Sequence, residues 1–180
     1  MNDTIRILQL SDTHFLEDGA DPEGAAAYNT DEAFDAVFRH IGEHDDLDLI
    51  VVTGDVAAVR ANLASQTEQV LDARSIGRFT GADPEPRSNC HSGHIPGSAN
   101  LPYADLIDGE TKMFRPADAL AARFAASGIA ASRPVVTTCG SGVTACVLAL
   151  GLHLLGRDDV AVYDGSWSEW GTRDDTPVEI

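Results

Sequence analysis

The chain has 180 residues, 43 % of them hydrophobic, which is enough to build one large core or two small ones. Its 12 basic against 29 acidic residues, a formal net charge of −17, exclude the concentrated positive surface that nucleic-acid phosphates require. There is no run of 18 apolar residues and no basic stretch leading into an apolar one at the N-terminus, so neither a membrane span nor a secretory leader is indicated and a cytoplasmic setting is expected. Three cysteines, Cys90, Cys139 and Cys146, make no disulfide framework and leave room for a reactive thiol.

The acidity is uneven. Residues 1–58 hold 14 acids and 2 bases, residues 59–180 hold 15 and 10, and this asymmetry hints at two pieces within one chain. In the first piece an apolar run over residues 5–10 reads as a buried strand that ends in Ser11-Asp12-Thr13-His14. Thr30 reads as an N-cap with Asp31 and Glu32 in the first turn, and Ala33, Phe34, Val37, Phe38 and Ile41 form one helical face. A second strand over 47–53 ends in Gly54-Asp55, so a parallel βαβ unit brings Asp12, His14 and Asp55 to one edge.

Asp-x-His after a first strand and Gly-Asp after a second resemble the opening motifs of the calcineurin-like metallophosphoesterases, particularly the cyclic-nucleotide phosphodiesterases. The resemblance implies Asp12 and His14 on a first metal and Asp55 bridging to a second, with Mn, Fe or Zn suited to carboxylate and imidazole. The later histidine motifs of that family, Gly-Asn-His-Asp or Glu and Gly-His-x-His, do not follow Asp55. The likeness therefore covers about the first quarter of such a domain, and implies a vestigial βαβ piece or a weak single-metal site.

The pattern changes near residue 57, where the boundary between 1–56 and 57–180 is placed; no Pro/Gly/Ser-rich linker joins the two. Val59-Arg60-Ala61-Asn62-Leu63 reads as a helix, 69–72 as a short strand, 100–102 as another, and 116–127 as an amphipathic helix closed by Gly128. Strands follow over 134–138 and 160–163. This alternating order predicts an α/β fold with a mostly parallel sheet flanked by helices.

Between those last two strands lies Cys139-Gly140-Ser141-Gly142-Val143-Thr144-Ala145, a strand-to-helix loop. Val143, Val147, Leu148, Leu150, Leu154 and Leu155 recur at three-to-four spacing, so the helix is expected to open at about Ser141 or Gly142. Amides of a loop curling into a helix N-terminus converge on one point, and the helix dipole adds positive potential there. Glycines let the backbone come close to whatever sits on the sulfur, and the arrangement favours a thiolate.

That heptapeptide resembles the active-site loop of the mercaptopyruvate sulfurtransferases, a branch of the rhodanese superfamily. The likeness continues through Val70-Leu71-Asp72-Ala73-Arg74, Gly77-Arg78-Phe79, Pro84-Glu85-Pro86-Arg87, Gly93-His94-Ile95-Pro96-Gly97-Ser98-Ala99-Asn100 and Val162-Tyr163-Asp164-Gly165-Ser166-Trp167-Ser168-Glu169-Trp170, the length of one catalytic domain. It implies a rhodanese-like fold in which Cys139 carries sulfane sulfur as a persulfide from 3-mercaptopyruvate or thiosulfate to a thiol or cyanide, with no cofactor. It places Arg78 and Arg87 on the donor's carboxylate and ketone oxygen, Ser141 on a proton or the substrate, and Gly140, Gly142, Val143 and Thr144 in the cradle. Thiosulfate-preferring relatives carry Cys-Arg-Lys-Gly; Gly140 and Ser141 here favour 3-mercaptopyruvate.

The residues by themselves leave alternatives beside each role. Arg78 or Arg87 can form an ion pair with Asp83 or Glu85, and Ser141 can be a helix N-cap. Asp72 with Arg74 reads as a structural pair and Cys146 as core. Cys90-His91 with His94 reads as a turn element rather than a metal site, and Trp167 and Trp170 as cover for the sheet edge. In the resembling enzymes an inactive rhodanese domain precedes the catalytic one and walls off its cleft, whereas here the phosphoesterase-like piece stands in that place. That piece has to dock on the second, pair in a homodimer, or remain only partly folded. Three readings compete: a sulfurtransferase, a metal-dependent phosphodiesterase remnant, and a catalytically impaired chimera.

Overall fold

A computed structural model describes residues 7–10 and 49–54 as strand backbone and residues 56–180 in full. In chain order these are β1 (Ile7–Leu10), β2 (Leu49–Gly54), α1 (Val56–Ser65), β3 (Gln69–Asp72), α2 (Ile76–Phe79), β4 (Ala99–Asn100), a 3-10 turn (Tyr103–Leu106), α3 (Ala117–Ala126), β5 (Val135–Thr138), α4 (Ala145–Leu154), β6 (Val160–Tyr163) and α5 (Ser166–Trp170). The strands form one sheet in the order β1-β2-β6-β5-β3-β4, and every neighbouring pair is parallel. The expected architecture, a parallel sheet flanked by helices, is the one observed.

The period of two along the strands sorts the core into two faces. Leu71 and Val135 join Leu106, Leu120, Phe124, Leu148 and Leu152 beneath α3, α4 and the 3-10 turn. Their neighbours Val70 and Val136 point the other way, into Val59, Ile95, Tyr163, Trp167 and Trp170 beneath α1 and α5. Strand β5 is buried at all four positions because helices cover both of its faces. Each fully buried Leu, Val or Ile contributes about 1.5–3 kcal/mol relative to exposure, so this central strand and its neighbours carry much of the folding free energy.

Two expectations are corrected. Trp167 and Trp170 are fully buried in the second core rather than lying over a sheet edge, because α5 follows β6 immediately and packs its aromatic face inward. The helix after the cysteine begins at Ala145, not at Ser141 or Gly142; Gly142 has φ +82°, which interrupts helical geometry and delays the first turn.

The two pieces of the chain meet in the sheet itself. Thr53 and Gly54 of β2 pair with Val162 and Tyr163 of β6, so the strand read as part of the first piece extends the sheet that holds the cysteine. An otherwise unpaired edge of β6 is thereby covered. The helix expected in the thirties, and Asp12, His14 and Asp55, lie outside the described residues. Among the described residues no helix is long and apolar enough to cross a membrane.

Candidate active site

Cys139 follows β5 directly, at the C-terminal edge of the sheet, and is 1 % exposed. The Ser141 amide donates to its sulfur at 3.4 Å, and the Ser166 hydroxyl oxygen lies 4.0 Å away. The backbone around the sulfur is clamped by α5: the Cys139 amide donates to Ser166 Oγ at 3.1 Å, while the Cys139 and Gly140 carbonyls accept from the Trp167 and Ser168 amides at 2.9 Å each. Ser166 itself sits at φ +50°, in the left-handed region, and donates to the Tyr163 carbonyl at 2.7 Å. A buried non-glycine residue held there marks a constrained position. The sequence reading missed Ser166; its signal was a small hydroxyl residue just past a strand end, on the same sheet edge as the cysteine.

Gly142 is required by two features at once. Its positive φ favours glycine, and a Cβ there would stand 2.6 Å from the Asp164 carbonyl oxygen. The convergent ring of donors expected around the sulfur is represented by the Ser141 amide. Gly142, Val143 and Thr144 have no protein acceptor for their amides among the described residues, which leaves them free for an anion at the mouth. Val143 is 72 % exposed and gives that mouth an apolar lip. Ser141 is not the N-cap; Thr144 holds that position, without a side-chain bond.

Beside the loop, walled by Gly140 and Ser141 that follow the buried cysteine, lies a cavity of about 260 Å³. Its walls bring together Arg78, Arg87, Gly140 and Ser141, all read from the sequence as site residues, with Glu85, Cys90 and Ser168. A second cavity of about 270 Å³, by Asn62, Gln66 and Arg133 near the start of β3, has no cysteine in its lining.

An ion network reaches the cavity from the core. Arg74 pairs with Asp72 at 2.7 Å and with Glu85 at 2.9 Å, and its guanidinium lies 4.4 Å from the centre of the Trp167 ring. Glu85, whose side chain is 4 % exposed, also accepts from Arg78 Nε at 3.1 Å and Nη2 at 2.6 Å. Asp72 and Arg74 are thus the structural pair expected, and the ion pair weighed for Arg78 forms with Glu85. That bond is the main cause holding the Arg78 guanidinium above its ordinary pKa. Arg78 still borders the cavity, for a Cβ on Gly140 would fall 2.9 Å from its Nη2. Arg87 is exposed and makes no ion pair among the described residues.

The other two cysteines sit in different surroundings. The Cys90 thiol donates to the Trp167 carbonyl at 3.4 Å, and burial, then Glu85, pushes its pKa up. Cys146 donates to the Gly142 carbonyl at 3.5 Å and is pushed up by burial and then by Cys139. Both groups therefore stay neutral to higher pH than an ordinary thiol. Alkylation of Cys90 and Cys146, followed by peptide mass analysis, is expected to be slow at neutral pH and to accelerate only above the usual thiol range. A neutral-pH rate equal to that of a free cysteine would contradict this.

Among the described residues no three His, Cys, Asp or Glu side chains group so as to hold a metal. His94 instead stacks on Phe79 at 3.8 Å with its Nδ1 against the Phe79 carbonyl at 2.8 Å, as a turn element would.

Comparison with known proteins gives two family matches: the rhodanese-like domain over residues 55–173 and the calcineurin-like phosphoesterase over residues 5–80. The chain is similar to thiosulfate/3-mercaptopyruvate sulfurtransferase 1, mitochondrial, of Arabidopsis thaliana, 48 % identical over 67 % of this chain and 32 % of that protein. It is similar to the 3-mercaptopyruvate sulfurtransferase of Homo sapiens, 46 % identical over 64 % of this chain and 38 % of the relative. Among solved structures it resembles the Tum1 protein from Saccharomyces cerevisiae with a TM-score of 0.63 at 36 % identity, covering 68 % of this chain and 44 % of the other. The matched part thus spans about a third of the length of these curated relatives.

Proposed function

This chain belongs to the rhodanese-like domain family, and from that premise we propose that it is a sulfurtransferase, moving sulfane sulfur from 3-mercaptopyruvate, with thiosulfate as a second donor, through a Cys139 persulfide to a thiol or cyanide. The observation that carries the reading is the Cys139 sulfur accepting from the Ser141 amide, with Gly140 and Ser141 of the same loop walling a cavity that also holds Arg78 and Arg87. The names of the relatives support the choice of donors.

In the proposed reaction the Cys139 thiolate attacks the thiol sulfur of 3-mercaptopyruvate. An S–S bond forms, the carbon–sulfur bond breaks, and its electron pair leaves with pyruvate as the enolate, which takes a proton at carbon. The persulfide's outer sulfur then passes to the acceptor and Cys139 returns to thiolate. Arg87, which makes no ion pair among the described residues, binds the donor carboxylate through two parallel bonds; Arg78 offers its remaining Nη1 to the ketone oxygen. The Ser141 amide favours the charged sulfur at each stage. No cofactor enters this sequence.

The test is incubation with 3-mercaptopyruvate, reading pyruvate release and a mass gain of one sulfur atom on the Cys139 peptide. Absence of both would overturn the reading. Arg87→Ala is expected to lower kcat/KM for 3-mercaptopyruvate roughly 10–100-fold, chiefly through KM, as loss of a charge-assisted pair does; unchanged KM would remove Arg87 from the site.

Residues 1–56 fit a truncated phosphoesterase-like unit whose second strand serves as the outer strand of the sulfurtransferase sheet, and 57–180 fit the catalytic domain. The start of the rhodanese-like match at residue 55 supports this boundary, while the phosphoesterase-like match runs past it to residue 80. Asp12, His14 and Asp55 play no part in the sulfur chemistry proposed.

A further inference from the structure

The cavity contains three charged walls, Arg78, Glu85 and Arg87, and their balance is set from the core. Asp72 and Glu85 bring two negative charges to the network, Arg74 and Arg78 two positive ones, all linked at 3.1 Å or less. These cancel. Arg87, without an ion pair among the described residues, is left as the uncompensated charge of the cavity lining. Glu85 also occupies Arg78 Nε and Nη2, so one edge of that guanidinium is closed to ligands.

We infer that Glu85 is a specificity-determining residue that biases the site toward donors carrying one negative charge and makes a dianion the poorer donor. The inference rests on the sulfurtransferase reading and deepens it. A 3-mercapto-2-oxo acid presents one carboxylate, which Arg87 matches. An inorganic dianion such as thiosulfate brings a second charge for which the described lining offers Arg78, and Glu85 holds that arginine neutralised and half-filled. Because the pair is largely withdrawn from solvent, its charge balance is weakly screened.

Glu85→Gln keeps the shape and one acceptor oxygen while removing the charge; Arg74 keeps Asp72 as its partner. The ratio of kcat/KM for thiosulfate to kcat/KM for 3-mercaptopyruvate is expected to rise about tenfold, an electrostatic change of roughly 1.4 kcal/mol. Were Glu85 only a brace for Arg74, both values would fall together, and an unmoved ratio overturns the inference. A second measurement uses the unaltered protein, so it survives a variant that fails to fold. Methanesulfonate, a monoanion, is expected to protect Cys139 from iodoacetamide at lower concentration than sulfate at equal ionic strength; equal or better protection by sulfate overturns the inference. A protein that forms no persulfide from either donor removes the sulfurtransferase reading instead, while the protection assay still reports the charge preference by itself.

Discussion

Cys139→Ala is expected to abolish persulfide formation and to cut sulfur transfer by about a thousandfold or more, while the protein stays folded. The chemistry needs an electron pair that no neighbour can supply from the same place. The sulfur lies under the loop with the Ser141 amide on it at 3.4 Å, and Cys90, which lines the neighbouring cavity, has its thiol pushed up by burial and faces the Trp167 carbonyl. Losing one buried sulfur from a core otherwise unchanged costs about 1 kcal/mol, small against a total stability of about 5–15 kcal/mol. Mass analysis after 3-mercaptopyruvate treatment, with a thermal melt on the same sample, checks both halves. Retention of a one-sulfur adduct in the alanine variant would sink the assignment of the nucleophile.

Arg74→Met should be the most destabilising single change in the site region. The guanidinium is 1 % exposed and stands between two carboxylates that are themselves 1 % and 4 % exposed, with its flat face on Trp167. Methionine fills much of the volume but leaves Asp72 buried without its cation and Glu85 with Arg78 alone. Breaking a buried pair by removing one partner costs about 3–5 kcal/mol. For a chain of this size the expected fall in melting temperature is on the order of 10 °C. Turnover should fall as well, because Glu85 and Arg78 lose the anchor that fixes their geometry. A shift of a degree or two would show that Arg74 is braced by packing and not by charge.

What could be read before folding was whatever depends on neighbours close in the chain. The spacing of Leu120 and Phe124, the Val70-Leu71 pair within 69–72, the apolar run at 160–163, and Gly128 after the last turn of α3 each report a local preference, and each element came out where expected. The loop from Cys139 to Ala145 was legible for the same reason: a strand, a nucleophile and two glycines in succession need no distant partner to be recognised. The helix start was misplaced because apolar spacing continues through Val143, while backbone geometry is decided by the positive φ of Gly142, which is pressed against Asp164 from another strand end.

By itself the sequence determined the fold class and the position of the cysteine at a strand end, since composition, period and short motifs are properties of adjacent residues; the two arginines were singled out by the family resemblance of the motifs that carry them. Only the tertiary structure decided how those arginines differ, one paired with Glu85 and the other without an ion pair among the described residues, and that Ser166 holds the cysteine's amide from 27 residues away. It also decided that β2 of the first piece completes the sheet of the second. The reason is physical: an ion pair, a clamp across a loop and a strand pairing are chosen by which groups the packed core brings within about 3 Å, and no local pattern encodes that distance.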